Sequence, residues 1–309
     1  MAFEKQFDFM GVRKPVMVIS VVLVLASLIS LFTNGLNVGI DFTGGSVIEV
    51  GYQEPVDLKP IREVLAKDGY NDAIVQHFGS ANEVLIRLVP LEGQNKAELS
   101  SLIIPLLESQ SDQKMDVRRV DFVGPQVGEE LRDDGGLAVL YALIAILIYV
   151  SLRFEYRFSL GAVAALIHDV TITLGIFSIL QLDFDLSVLA AILAVIGYSL
   201  NDTIVVFDRI RENFRKIRKT DPVEMVNVSI NQTLSRTLMT SMTTLIVLLA
   251  LYFLGGEVIE AFALALIIGI VVGTYSSIYV ASAGALAMGI SRADLLVPEK
   301  NDDELDARP

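Results

Sequence analysis

Six apolar runs of roughly bilayer length constrain this 309-residue chain more than any other feature. They cover residues 16–33, 137–152, 159–180, 186–207, 238–254 and 261–288. Inside hydrocarbon no water satisfies a stray backbone N–H or C=O, so each run must close its own hydrogen bonds as a helix. At about 1.5 Å per residue, such helices match a hydrocarbon core of roughly 30 Å. The hydrophobic residues, 53% of the chain, are gathered in blocks rather than alternating as strands require. A soluble enzyme is thereby excluded, and the fold class expected is a polytopic α-helical membrane protein with six transmembrane helices. The last run is long enough to tilt or to pass the membrane surface.

Lysine and arginine set the orientation. Arg13 and Lys14 precede the first run, and Arg153 and Arg157 fill the turn after the second. Arg209, Arg211, Arg215, Lys216, Arg218 and Lys219 follow the fourth run, and Arg292 follows the sixth. The alternate connections, 181–185 and 255–257, hold neither residue type. By the positive-inside rule both termini are expected in the cytoplasm. Residues 16–32 exceed a signal core and no clear small-residue cleavage site follows, so the first run is expected to stay as an anchor. The domains expected are 1–33, N-terminus and first span; 34–134, an extracytoplasmic (periplasmic) domain; 135–290, spans two to six with a cytoplasmic loop at 209–236; and 291–309, an acidic cytoplasmic tail.

Segment 34–134 holds 18 acidic and 9 basic residues, which argues against nucleic acid as a partner. The chain has no cysteine, so this segment must fold on its own core rather than on disulfides. Periodicity places strands at 46–52, 73–78, 83–89 and 115–123, with helices at 58–69 and 95–108. That order, βαββαβ, is the order of an α+β ferredoxin-like sandwich inserted between the first two spans.

Two aspartates, Asp169 and Asp202, lie within the third and fourth runs. A charge at that depth costs about 2.5–3.5 kcal/mol by insertion scales and usually marks an ion or proton route. Asp169 follows the start of its run by ten residues, about 15 Å, and Asp202 precedes Arg209 by seven, about 10 Å. Antiparallel helices would therefore hold the two carboxylates within roughly 5 Å of one another in depth. Repulsion and desolvation would then suit them to proton exchange. Arg236, where an amphipathic segment turns into the fifth span, is the nearest candidate cation.

Structural readings stand beside these. Asp202 could simply hydrogen-bond Asn201 or Ser199, Asp169 could have a purely structural role, and Arg236 could be a topology anchor. His168 could relay protons, or pack elsewhere, because neighbouring helical residues point about 100° apart. Asp41 with Gly44 and Gly45 reads as a tight turn that lets the backbone leave the first span for the sheet. The basic run from Arg209 to Lys219 reads as a topology signal that also meets anionic lipid.

Small residues recur every fourth position in the last run, at Ala261, Ala265, Gly269, Gly273, Ser277, Ala281, Ala285 and Gly289. This ridge admits close helix neighbours, and because four exceeds 3.6 it winds round the helix toward at least two of them. Asp221, Pro222 and Glu224 read as cap, first turn and capping-box acid. Val223, Val226, Ile230 and Leu234 then line one face of a helix expected to lie on the membrane.

Four segments carry a family likeness. They are Gly39-Ile40-Asp41-Phe42-Thr43-Gly44-Gly45, Val123-Gly124-Pro125-Gln126-Val127-Gly128, Ile167-His168-Asp169-Val170, and the stretch from Gly197 to Asn213 that contains Asn201-Asp202-Thr203. Their order and spacing resemble the signature segments of the SecD/SecF family of protein-export membrane subunits, over nearly the whole chain. The resemblance implies a relative of RND transporters in the bacterial inner (cytoplasmic) membrane, non-enzymatic and without cofactor or metal, that uses the proton-motive force in protein export. It implies as partners a SecD-like subunit, the SecYEG channel, YajC, the unfolded exported polypeptide and membrane lipid. It further implies that Asp202 and Arg236 pass the proton. A proton-coupled exporter of small molecules and a translocase scaffold are the rival readings.

Overall fold

The computed structural model describes residues 7–71, 73–88, 96–108, 114–217 and 221–290. The expected tail 291–309 with Arg292, the basic residues Arg218 and Lys219, and the ends of an expected strand and helix at Val89 and Asn95 lie outside them.

Among the described residues, six helices are long and apolar enough to cross a membrane. The first is α1 (Arg13–Thr33), which turns its small polar residues inward. Ser20, Ser27 and Ser30 are its buried side chains, whereas Val18, Ile19, Val21 and Val22 are exposed. Lipid tails are as apolar as valine, so close packing and hydroxyl contacts hold such helices together. Thus α1 lies against α6 (Tyr156–Leu180), with Ser30 and Ser178 joined at 2.8 Å. A Cβ on Gly175 would stand 2.2 Å from that of Ser27.

Between α1 and the second span come β1 (Asn37–Val38), α2 (Ile40–Thr43), β2 (Gly45–Tyr52), α3 (Leu58–Lys67), β3 (Ile74–Phe78), β4 (Ser80–Leu88), α4 (Lys96–Glu108) and β5 (Met115–Val123). Strands β2 to β5 form an antiparallel sheet in the order β3-β4-β2-β5. Ile48 stands opposite Ile86 on one side and Val120 on the other, and Ile48, Val50, Leu65, Ile86 and Ile103 share a core with α3 and α4. Asp57 caps α3 by accepting from the Lys59 N–H at 3.0 Å.

Helix α5 (Pro125–Arg153) begins a dozen residues before the apolar run expected at 137. The connection 124–136 is therefore helical rather than a loose link. Gly124 is its N-cap and Pro125 its first residue, where a missing N–H costs nothing. Gly128 makes the geometry fit, because a Cβ there would lie 2.5 Å from the Gly44 nitrogen.

Two further expectations change. Helices α7 (Leu186–Lys216) and α8 (Pro222–Leu254) run unbroken, so the expected loop 209–236 is mostly the ends of two long helices. The α8 face also packs against protein instead of lying on the membrane. Val226 and Ile230 are buried in the main core, with Val223 and Leu234 packed against it. Asp221 caps α8 from the Val223 N–H at 3.1 Å, and no breaker follows Pro222, so propagation through Arg236 adds one hydrogen bond per residue.

The chain ends in α9 (Glu257–Ser276), a π-helical turn (Ser277–Ala281) and α10 (Ser282–Ala287). Its small residues meet two neighbours in turn. A Cβ on Gly269 would reach within 2.1 Å of Val195 in α7, while Gly161 of α6 abuts the Ala281 carbonyl, 2.9 Å from where a Cβ would stand.

The sheet domain is fastened to the turn between α6 and α7. There β6 (Asp183–Phe184) pairs in parallel with β1, Phe42 stacks on Phe184 at 5.8 Å, and Asp41 accepts from the Leu186 N–H at 3.1 Å. Asp183 ion-pairs with Arg87 and accepts from Asn37 at 2.7 Å. Gly44 and Gly45 make the turn at φ +69° and +132°, the latter with the Leu88 carbonyl 2.7 Å from any Cβ. At the other end, Asn227 and Asn231 of α8 hold the arm before α1. Asn231 accepts from the Phe7 N–H and donates to the Phe7 carbonyl, and Asn227 donates to Asp8 at 2.6 Å and accepts from the Met10 N–H at 2.9 Å.

Two outcomes follow from this packing. Gly269→Ala should destabilise the solubilised protein by about 1–3 kcal/mol through overpacking, whereas Gly197→Ala, with nothing within 4 Å of its Cβ, should leave the thermal midpoint unchanged or raise it. The Asn227 amide, the Gly11 N–H and then the Arg13 charge hold the Asp8 carboxyl below its ordinary value. A lowered carboxyl stabilises the docked arm above the ordinary value, and that contribution vanishes as pH falls through the lowered one. Electron-paramagnetic distances between labels on the arm and α8 should broaden in acid, and Asp8→Asn should abolish the pH dependence.

Candidate functional site

Helices α6, α7 and α9 meet at Asp169, which is fully buried. Its Oδ2 accepts from Ser199 of α7 at 2.5 Å and from Ser276 of α9 at 2.7 Å, and its Oδ1 meets His168 Nδ1 at 2.9 Å. One carboxylate thus has three partners on three helices. Gly273 permits the approach, since a Cβ there would lie 3.0 Å from Ser199 Cβ and 3.5 Å from Asp169 Oδ2.

Asp202, 2% exposed, stands in a different state. Its contact is with Ser241 of α8, at 3.5 Å. The same Ser241 hydroxyl meets Thr274 at the shorter distance of 2.7 Å, so its bond to Asp202 is the longer of two. A buried carboxylate so weakly compensated is costly while ionised. Thr237, one turn before Ser241, has a buried hydroxyl oxygen without a hydrogen-bond partner.

The aspartates share α7 without touching. Ser199, the partner of Asp169, precedes Asp202 by three residues, about 4.5 Å of helix rise. The alternative pairing of Asp202 with Ser199 or Asn201 does not occur: Ser199 serves Asp169, and Asn201 is exposed. Asn201 instead lines a groove between α7 and α8 with Asp208, Glu212, Gln232 and Arg236. Arg236 is exposed there and makes no ion pair with Asp202 among the described residues. His168 also differs from the reading that put it on another face, because its side chain turns back onto its neighbour's carboxylate.

The remaining sequence candidates lie elsewhere. Asp41, Gly44, Gly45, Gly124, Pro125 and Gln126 belong to the junction of sheet domain and bundle. Ser277 donates to the Thr274 carbonyl within its own helix, and it is Ser276 that reaches Asp169. Ser241, Thr274, Ser276 and Tyr275 went unnoticed, although hydroxyl residues inside apolar runs were a usable signal. The π-helical turn directly after Ser276 is of a kind often found at functional sites. Among the described residues no three His, Asp or Glu side chains gather closely enough to hold a metal ion.

Comparison with known proteins points in one direction. Residues 105–291 match the family described as "Protein export membrane protein SecD/SecF, C-terminal", and residues 29–56 match "SecD/SecF GG Motif". The "Protein translocase subunit SecF" of Vibrio alginolyticus is 53% identical over 308 residues, covering 99% of this chain and 98% of that protein. The protein of the same name from Pseudomonas aeruginosa is 47% identical over 302 residues, 98% and 97% of the two chains. A crystal structure of SecDF, described as a translocon-associated membrane protein, from Thermus thermophilus, superposes with TM-score 0.83 at 42% identity over 93% of this chain. The present chain spans 39% of the length of that SecDF chain.

The Asp169 cluster makes its own expectation. Ser199→Ala or Ser276→Ala should each lower the thermal stability of the solubilised protein, by about 0.6–1.7 kcal/mol on the scale of hydrogen bonds between membrane helices. Ser277→Ala, one residue along and not bonded to Asp169, should change it least. Equal effects at 276 and 277 would contradict the three-helix junction.

Proposed function

The chain belongs to the SecD/SecF family of protein-export membrane proteins, and from this premise we propose that it is the SecF-type accessory subunit of the Sec translocase, driven by protons that pass its buried aspartates. The observation that carries the mechanism is the weakly bonded carboxylate of Asp202, buried in the bundle one residue from the groove that holds Arg236. When Asp202 takes a proton, the cost of burying its charge disappears and its attraction to the Arg236 guanidinium weakens. Asp169 joins the route as the second buried carboxylate, one turn away along α7 through Ser199.

The positive-inside pattern supports both termini in the cytoplasm of a bacterium and the chain in its inner membrane. The sheet domain, read as a ferredoxin-like fold by its strand order, then lies outside, on the α6–α7 turn. Helices α6 and α7 carry the two aspartates, so a shift between them is felt at the domain's base. A proton moving down 100 mV releases about 2.3 kcal/mol, enough to change a two-state equilibrium more than tenfold. The solved SecDF chain is more than twice as long as this one, which supports a SecD-like subunit as the missing partner. The SecYEG channel, YajC and the emerging unfolded polypeptide complete the assembly proposed. A self-sufficient small-molecule exporter fits this partial length poorly, and a scaffold leaves Asp202 without a purpose.

Asp202→Asn decides between drive and scaffold. The amide keeps the shape but cannot carry a proton. Proton-dependent stimulation of secretion should be lost while membrane abundance and co-purification with the SecD-like partner are kept. Normal secretion at normal abundance would remove Asp202 from the proton route.

A further inference from the structure

The imidazole of His168 carries an anomaly that the Asp202 route does not use. The side chain is 5% exposed, and its Nε2 has no hydrogen-bond partner among the described residues. Orphaned polar atoms of this kind are rare in folded proteins and call for a reason. The neighbouring hydroxyl does not serve it. Tyr275, whose ring stacks on the imidazole at 6.1 Å, donates to the Val16 carbonyl at 3.0 Å and meets Ser20 at 2.8 Å.

Hydrogen bonding orders the pair. Ser199 donates to Asp169 Oδ2 at 2.5 Å and Ser276 to the same oxygen at 2.7 Å, which leaves Oδ1 to His168 Nδ1. With the carboxylate ionised, Nδ1 carries a hydrogen toward Oδ1 and Nε2 is left with a bare lone pair. In that form the pair bears one net negative charge within the bundle. Of the elements packed round it, α1 offers Ser20, α7 offers Ser199 and α9 offers Tyr275 and Ser276. Tyr279 lies beyond Tyr275, Asp202 one turn along α7, and no lysine or arginine contacts the pair among the described residues. A proton on Nε2 turns the pair into imidazolium and carboxylate with no net charge, held by the Nδ1–Oδ1 hydrogen bond already in place.

We propose that His168 and Asp169 together form a second proton-binding site, loaded at His168 Nε2 and separate from Asp202. The step is an association: the Nε2 lone pair forms an N–H bond with the incoming proton, and no other bond breaks. Asp169 is the positioning partner, which orients the ring through Nδ1 and balances the new charge. The use of this proton in export rests on the proton-driven reading above, but its binding does not.

The sequence makes the test direct, because the chain has 2 histidines, His77 and His168. His77 lies on the exposed side of β3, so His77→Gln leaves a single imidazole without touching the bundle. Nitrogen-15 spectra of the histidine-labelled full chain in lipid nanodiscs, recorded over a range of pH, should show Nδ1 protonated throughout and Nε2 gaining its proton in one step as pH falls. Adding Asp169→Asn should move the step, whereas Asp202→Asn should leave it in place. An Nε2 whose state never changes across that range overturns the site without any core substitution. A step unmoved by Asp169→Asn overturns the partnership. Neither result bears on whether Asp202→Asn stops secretion, so the two readings fail separately.

Discussion

Hydrocarbon supplies no hydrogen bonds and no hydrophobic reward for burying one apolar face against another. The bundle depends on that constraint. Its helices place small and hydroxyl residues at their contacts and leave branched apolar chains toward lipid, as α1 does with Ser20, Ser27 and Ser30 inside and Ile19 and Val22 outside. Gly161, Gly175, Gly269 and Gly273 sit where a Cβ would collide with a neighbour. Gly273 leaves room for Ser276 and Ser199 to converge on one carboxylate from two helices, where a Cβ would press on Ser199 at 3.0 Å.

The same constraint gives the two aspartates opposite characters. Asp169 is tied to α6, α7 and α9, and moving it would break several bonds at once. Asp202 has one long hydrogen bond among the described residues, from Ser241, which also meets Thr274 at closer range. Arg236 stands exposed in a groove beside Asn201 rather than in the core.

Attachment of the sheet domain adds a mechanical consequence. Asp183 receives Arg87 and Asn37 from the domain, Asp41 caps α7, and β1 pairs with β6, all on the short turn between the aspartate-bearing helices. Polar side chains on both sides make this a directional joint rather than a greasy one. Asp41, which reads in the sequence as part of a tight turn, and Asp183 are thereby the fastenings of one domain to the other.

Much of this was legible in the chain. Lengths of apolar runs gave the six helices, strand alternation gave the element order of the sheet domain, and the four motifs pointed to the family, because each of these is a property of neighbouring residues. The depth of Asp169 and Asp202 was also readable from spacing, since helical rise is constant. What a side chain touches is not local. Only packing of the helices decided that Ser199 and Ser276 serve Asp169, that Ser241 lies between Asp202 and Thr274, and that His168 bends back onto its neighbour. Helix ends went the same way: α5 and α8 run through their expected connections because Gly128 can lie against Gly44 and because Val226 and Ile230 find protein to bury against. Composition specifies which residues can enter a membrane, and the choice among their possible partners rests with tertiary contact, where distances of a few tenths of an ångström separate a bond from a gap.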